Sequence, residues 1–226
     1  ELAKSMFGNQ HAPQPGIVAI TQVTELGALY SIEEIRSLSE SAHSMGMFVY
    51  LDGARIANAT AALGGTRETL RAFTRDAGID AMTFGCTKAG GMFGEAVVFF
   101  NPEFAKRSLY VRKQVTQLHS KMRFISAQYE AMLRDDLFIT LGGQANKAAQ
   151  MLFDKTKDIA SLQLTSAPAA NSMFPIIASA PRTQLQEWAH FYDWDTAIDQ
   201  VRWMTAWDVT EPEIDAFVAG VRALLA

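Results

Sequence analysis

Short apolar runs alternate with amphipathic stretches along most of this chain. Residues 17–21, Ile-Val-Ala-Ile-Thr, lie between Pro15-Gly16 and a polar turn, which predicts a buried strand. Ser31-Ile-Glu-Glu34 is a capping box: the serine caps the helix and Glu34 reaches back to it. Ile32, Ile35, Leu38, Ala42 and Met45 then recur at helical spacing, and Gly46 closes the helix. Residues 47–51 form a second apolar run, with Asp52 at its C-terminal end. Strand, capped helix and strand make a βαβ unit, whose parallel strands imply a covered sheet.

Further along, residues 54–63 and 66–77 predict two helical pieces broken at Gly64-Gly65. Residues 79–84 read as a strand, and residues 96–100 as a fourth after a turn from Gly85 to Gly94. Asn101 followed by Pro102 starts a helix, with the proline at its first position. Helical sequence continues with breaks to about Lys157. Beyond it the pattern changes: strands are expected over 162–166, 172–179 and 201–207, and a helix over 183–191. Thr210-Glu-Pro-Glu213 caps a final helix ending at Ala226, and residues 1–7 read as a helix-like stretch without an evident start. The expectation is a three-layer α/β fold with a mostly parallel sheet over 1–157 and a small α/β domain over 158–226.

Composition narrows the function classes. The chain has 226 residues, 49% hydrophobic and 19% charged, as in ordinary globular proteins. A net charge of −4 without a Lys/Arg run argues against general nucleic-acid binding. The one cysteine, Cys86, excludes an intrachain disulfide, fits a reducing cytoplasm and reads as a packed small residue. No apolar run reaches the roughly 18 to 20 residues of a membrane span, and no signal peptide is evident. His11, His43, His119 and His190 show no metal-ligand spacing, so no metal is expected, and His43 reads as a residue of a solvated helix face. Trp188, Trp194, Trp203 and Trp207 read as core or interface residues. A nucleotide-binding reading is disfavoured because no G-x-G-x-x-G follows any strand.

Three positions could carry chemistry. Asp52 ends a buried parallel strand, where open α/β sheets bind ligands, and Arg55 can face the same crevice. Position alone leaves a structural N-cap with a surface arginine equally open. Lys88 lies in the glycine-rich stretch Thr83-Phe-Gly-Cys-Thr-Lys-Ala-Gly-Gly-Met-Phe-Gly94, where backbone can approach a ligand closely. A lysine beside a carbonyl cofactor can form a Schiff base once burial lowers its pKa, yet alone it reads as an exposed loop residue. Arg202 sits among large apolar residues in a predicted strand, where its donors need a partner, either a carboxylate ligand or a structural acid.

Together these segments resemble the L-threonine aldolases of the pyridoxal-phosphate (PLP) enzymes with the aspartate-aminotransferase-like fold. The matching segments are Thr21-Gln-Val-Thr-Glu-Leu-Gly27 with Tyr30-Ser31, Leu51-Asp-Gly-Ala-Arg-Ile-Ala-Asn58 and Thr83-Phe-Gly-Cys-Thr-Lys-Ala-Gly90. Gly94-Glu-Ala-Val-Val98, Ser120-Lys-Met-Arg-Phe124 and Arg202-Trp-Met-Thr-Ala-Trp-Asp208 follow in the family's order and extend the match over nearly the whole chain. The similarity is greatest to the bacterial low-specificity type. The resemblance implies that Lys88 holds PLP covalently and Asp52 pairs with its pyridine nitrogen, which makes the ring an electron sink. It implies that Arg55 and Arg202 hold the substrate α-carboxylate, and that His11 lies near the β-hydroxyl. Arg123 and Lys113 match basic residues used near the cofactor or at the subunit interface.

The implied reaction cleaves L-threonine, L-allo-threonine and related β-hydroxy-α-amino acids to glycine and an aldehyde. The implied setting is a cytoplasmic homodimer or homotetramer with shared active sites, an amino-acid substrate, and neither nucleic acid nor membrane as partner. Such enzymes carry a further N-terminal third with the phosphate cup, which this sequence lacks, so the stretch alone is expected to bind PLP weakly. A β-eliminating lyase, a phenylserine-type aldolase and a non-catalytic truncated homologue are the alternatives.

Overall fold

The computed structural model describes residues 8–225, so the helix-like stretch expected over 1–7 lies outside the described residues. The chain divides into two compact units that do not follow a single cut. Among the described residues the first comprises those up to 22, 30–56 and 66–137, and the second comprises 23–29, 57–65 and those from 138 onward.

In the first unit, β1 (Ile17–Thr21), α1 (Ile32–Ser44) and β2 (Phe48–Gly53) form the expected βαβ unit, with the strands parallel and Thr21 opposite Asp52. The capping box forms. Ser31 Oγ accepts from the Glu34 amide at 3.1 Å, and the Glu34 carboxylate accepts from the Ser31 amide at 2.7 Å. These bonds hold the Glu34 carboxyl below its ordinary pKa. Ile35, Ser39 and Ala42 are the buried face of α1.

After α2 (Ile56–Leu63), α3 (Arg67–Phe73) and a 3₁₀ turn (Arg75–Ala77), β3 (Ala81–Gly85) joins β2 in parallel, with Asp52 opposite Thr83. Then β4 (Glu95–Phe99) adds an antiparallel edge. The connection of residues 86–94 is too short for a parallel crossover, which requires a dozen or more residues. Strand alternation is plain: Val49, Leu51, Met82 and Phe84 are buried on one face, whereas Phe48 and Val97 are exposed on the other.

The helical stretch after Asn101 breaks into α4 (Pro102–Ala105), α5 (Ser108–Thr116) and α6 (Arg123–Leu133). Gln117, Leu118 and Lys121 take positive φ between the last two. His43 of α1 is exposed but not simply solvated, because its Nε2 lies 2.9 Å from Asp80 Oδ2.

The second unit is built on α7 (Leu137–Thr156) and α9 (Glu211–Leu225), with α2 against α7. Asn58 Nδ2 donates to Asn146 Oδ1, and Asn146 Nδ2 donates to the Asn58 carbonyl, both at 3.0 Å. Its small sheet centres on β9 (Gln200–Met204), flanked by β8 (Tyr192–Asp195) and, in line on the other side, by β6 (Ser172–Met173) and β7 (Pro175–Ile176), with β5 (Gln163–Leu164) on β7. Leu152, Ile177, Leu185, Val201, Trp203 and Val221 are among the core residues beneath it.

Several expectations change here. The strands expected over 162–166, 172–179 and 201–207 are shorter, and Phe174 interrupts the second, just before Pro175. The helix expected over 183–191 is instead α8 (Ser179–Gln186), since Pro181 suits a first helical turn and Leu185 anchors the buried side. The strand β8 was not expected at all. Among the tryptophans only Trp203 is fully buried, while Trp188 and Trp207 are exposed. No helix among the described residues is long and apolar enough to cross a membrane.

Candidate active site

Asp52 is the penultimate residue of β2, and its Oδ1 accepts from the Ala54 amide at 2.9 Å, which turns the chain sharply out of the strand. Glycine makes that turn possible. A Cβ on Gly53 would collide with the Thr83 carbonyl oxygen, and one on Gly85 would lie 2.6 Å from the Ala54 carbonyl oxygen. The ends of β2 and β3 are therefore packed backbone on backbone. Lys88 follows three residues after β3, exposed in a 3₁₀ turn (Thr87–Ala89). That turn closes on the Cys86 carbonyl, which accepts from the amides of Ala89 at 3.0 Å and Gly91 at 3.1 Å. Gly90 has φ +108°, and a Cβ on Gly91 would strike the Cys86 sulfur. Asp52, Arg55 and Lys88 thus share the C-terminal end of adjacent parallel strands, where such sheets bind ligands.

Two supporting residues were not legible as candidates. Tyr129 on α6 donates its hydroxyl to the Phe84 carbonyl at 2.8 Å, with the Gly94 carbonyl at 3.3 Å, and so ties both ends of the Lys88 turn to the helix. Burial first, then the neighbouring Cys86 and Glu95, push its phenol pKa far up, so it stays a donor. Gln22, wholly buried, accepts from the Tyr30 amide at 3.0 Å and donates to the Tyr30 carbonyl at 2.9 Å. Its own amide donates to the Asp52 carbonyl at 3.0 Å. Cys86 is a packed residue, as its sequence position suggested. It is buried, and burial followed by Glu95 raises its thiol pKa, leaving it inert.

Arg55 belongs to that strand end too, whereas His11, Arg123 and Lys113 lie on other segments. Arg55 is half-buried in the turn immediately before α2. His11 is exposed in the segment leading into β1, its Nε2 3.2 Å from the Gln10 amide nitrogen. Arg123 opens α6 with its guanidinium 5.0 Å from the Phe124 ring, and Lys113 is exposed on α5. Among the described residues no group of His, Cys, Asp and Glu could hold a metal.

Arg202 belongs to β9 in the second unit, between buried Val201 and Trp203. Its guanidinium carbon is 4.8 Å from the Trp194 ring centroid and 5.7 Å from that of Tyr192. Its Nε is buried without a hydrogen-bond partner among the described residues. Arg182 in the same unit is the opposite case, reaching Asp199 at 2.9 Å and Asp193 at 3.4 Å. The period-two Tyr-Asp-Trp-Asp of β8 was the sequence signal for the aromatic pair.

The sequence matches the family described as beta-eliminating lyase over residues 2–180. The chain belongs to that family. Within it, this β-eliminating lyase family member is 36% identical over 217 residues to the low specificity L-threonine aldolase of Pseudomonas sp. (strain NCIMB 10558), covering 95% of this chain and 61% of that protein. It is 35% identical over 213 residues to the low specificity L-threonine aldolase of Pseudomonas aeruginosa, covering 85% and 58%. Its fold matches the solved threonine aldolase of Leishmania major with a TM-score of 0.88 and 31% identity, covering 96% of this chain and 64% of the other. The chain therefore spans about three-fifths of the length of its curated relatives. The expected mostly parallel α/β fold is that of the Leishmania enzyme.

Proposed function

We propose that the protein is a PLP-dependent aldehyde-lyase that cleaves L-threonine, L-allo-threonine and related β-hydroxy-α-amino acids to glycine and an aldehyde. The observation that carries this reading is the placement of one amine and one carboxylate, Lys88 just beyond β3 and Asp52 near the end of β2, at strand ends stripped of side-chain bulk by Gly53 and Gly85. A flat aromatic aldehyde fits that donor set. Lys88 would hold it covalently through its Nζ, and the Asp52 carboxylate, with Oδ1 already fixed by the Ala54 amide, would keep the ring nitrogen protonated. When bound, PLP supplies an aldehyde that condenses with amines and a ring that accepts the electron pair of a breaking bond at Cα.

The chain's own residues do the rest. The guanidinium of Arg202, which forms no ion pair with a carboxylate among the described residues, is proposed to hold the substrate carboxylate. Arg55 is the second arginine proposed for that carboxylate. His11, whose Nε2 lies 3.2 Å from the Gln10 side-chain nitrogen, is proposed to accept the β-hydroxyl proton. Arg123 and Lys113 are proposed to act near the cofactor or at a subunit contact.

Residues 1–157 would belong to the large cofactor-binding domain and 158–226 to the small one. The proposal includes a homodimer or homotetramer, supported by α5, whose Leu109, Tyr110, Val111 and Val115 are all exposed. It also includes a cytoplasmic setting, supported by the free buried thiol of Cys86. The family's description favours a second reading, β-elimination.

One experiment separates them. The protein expressed from its complete reading frame is loaded with PLP, reduced with borohydride and mapped by peptide mass, and its products from L-threonine are then analysed. Modification of Lys88 with release of glycine and acetaldehyde is expected. Modification elsewhere sinks the site, while ammonia and a keto acid would establish elimination.

A further inference from the structure

The two arginines of the second unit differ in what surrounds them, and that difference assigns a role to β8. Arg182 is paired with both Asp193 and Asp199. Arg202 pairs with no carboxylate among the described residues; its guanidinium carbon instead lies over two aromatic rings, 4.8 Å from the Trp194 centroid and 5.7 Å from that of Tyr192. Both distances fall within the roughly 6 Å over which a cation is drawn to a ring face. The strand register explains the Tyr192 contact, since Tyr192 is directly opposite Arg202 across the β8–β9 ladder. Trp194 is steadied in turn by an edge-on contact with Phe174, with ring centroids 5.3 Å apart at 65°. Phe174 is itself buried.

Aromatic faces and carboxylates do different things to an arginine. A carboxylate occupies the N–H donors, whereas a ring face leaves them open in the guanidinium plane and restrains the side chain. The Nε of Arg202 is accordingly without a hydrogen-bond partner among the described residues. A long side chain held this way has already lost rotamer freedom before its ligand arrives.

From this we infer that Trp194 and Tyr192 are positioning residues that hold Arg202 flat and unneutralised for the carboxylate of the substrate. The inference rests on the reading of Arg202 as the carboxylate receptor. It predicts an effect on substrate binding rather than on the bond-breaking step.

The test uses the PLP-loaded protein from its complete reading frame, with L-threonine kinetics on Trp194→Leu, Trp194→Phe, Tyr192→Leu and Arg202→Met. Alongside them, intrinsic fluorescence of the cofactor-free protein is titrated with acetate, a carboxylate without an amine. Trp194→Leu should raise KM about tenfold with kcat within about threefold, and Trp194→Phe should restore most of the loss. Tyr192→Leu, at an exposed position, should raise KM about threefold. Acetate should quench the wild-type fluorescence, and Arg202→Met should lose that response.

If Arg202→Met leaves KM and the acetate response unchanged, the carboxylate reading itself fails. If Arg202→Met raises KM while Trp194→Leu and Tyr192→Leu do not, the positioning role alone is overturned. A fall in kcat and melting temperature without a KM change, unrescued by phenylalanine, would make Trp194 merely structural. Should Trp194→Leu fail to fold, Tyr192→Leu decides.

Discussion

The end of the first sheet and the β8–β9 ribbon of the second unit present chemistry in different ways. Around Asp52 and Lys88, position comes from backbone: Gly53 against the Thr83 carbonyl, Gly85 against Ala54, and two amides on the Cys86 carbonyl. Around Arg202, position comes from side chains stacked on side chains, Phe174 on Trp194 and Trp194 on the guanidinium. A backbone-built site has no slack, because a single added methyl meets atoms that cannot rotate away. A stacked site has slack, because one ring can substitute for another at the same face. The first should therefore fail by unfolding or losing chemistry outright, and the second by graded losses of affinity.

The largest effect expected is that of Lys88→Ala, which should lower turnover of L-threonine by about a thousandfold or more while leaving the melting temperature nearly unchanged. Steady-state kinetics and calorimetry on the same preparation check both halves. Gly85→Ala should do the reverse and act first on stability. Its new Cβ would lie 2.6 to 2.8 Å from three backbone atoms of Ala54. Forced separation there should cost about 2–3 kcal/mol in denaturant unfolding. A stable Gly85→Ala protein would show that the strand ends are looser than they look.

The same contrast decides what could be read from the sequence. The βαβ unit was legible because its three signals agree: an apolar run, a capping box with helical periodicity, and a second apolar run. Asp52 and Lys88 were legible because a strand end and a glycine-rich turn are local features. Trp194 was not, since its meaning depends on β8 pairing with β9, and aspartates at alternate positions disguise that strand as loop. Tyr129 and Gln22 were hidden for a related reason. Their partners, Phe84 and Tyr30, are fixed only by the folded topology. The small sheet was blurred because its strands near residue 170 are two residues long, too short for periodicity to register.

Tyr129→Phe probes the backbone-built end more gently. Losing the hydroxyl leaves the Phe84 carbonyl without that donor at the strand end preceding Lys88, and should cost about 1–2 kcal/mol. The pH dependence has a defined sign. Because the folded phenol pKa is raised, its contribution is fully present below the unfolded value of about 10 and is lost as pH rises above it. The stability gap between wild type and Tyr129→Phe should be flat from pH 7 to 9 and shrink at higher pH. A gap that widened there would mean the hydroxyl is not a buried donor.

The smallest effects come from the two arginines and bear most directly on the comparison. Arg182 is only 12% exposed and ties α8 to Asp193 and Asp199. Arg182→Met removes that tie and leaves two acids near one another, at a cost of about 1 kcal/mol because both carboxylates remain solvent-accessible. Arg202→Met should not mirror it. That substitution removes a buried donor with no partner among the described residues and keeps much of the apolar stem against the Trp194 ring. Removing an unsatisfied polar group by a similar apolar shape is nearly neutral or stabilising. The melting temperature of Arg202→Met should therefore equal or exceed that of the parent, while that of Arg182→Met falls. If both variants fell together, Arg202 would be another structural ion in the small sheet, and the orphaned Nε would carry no functional meaning.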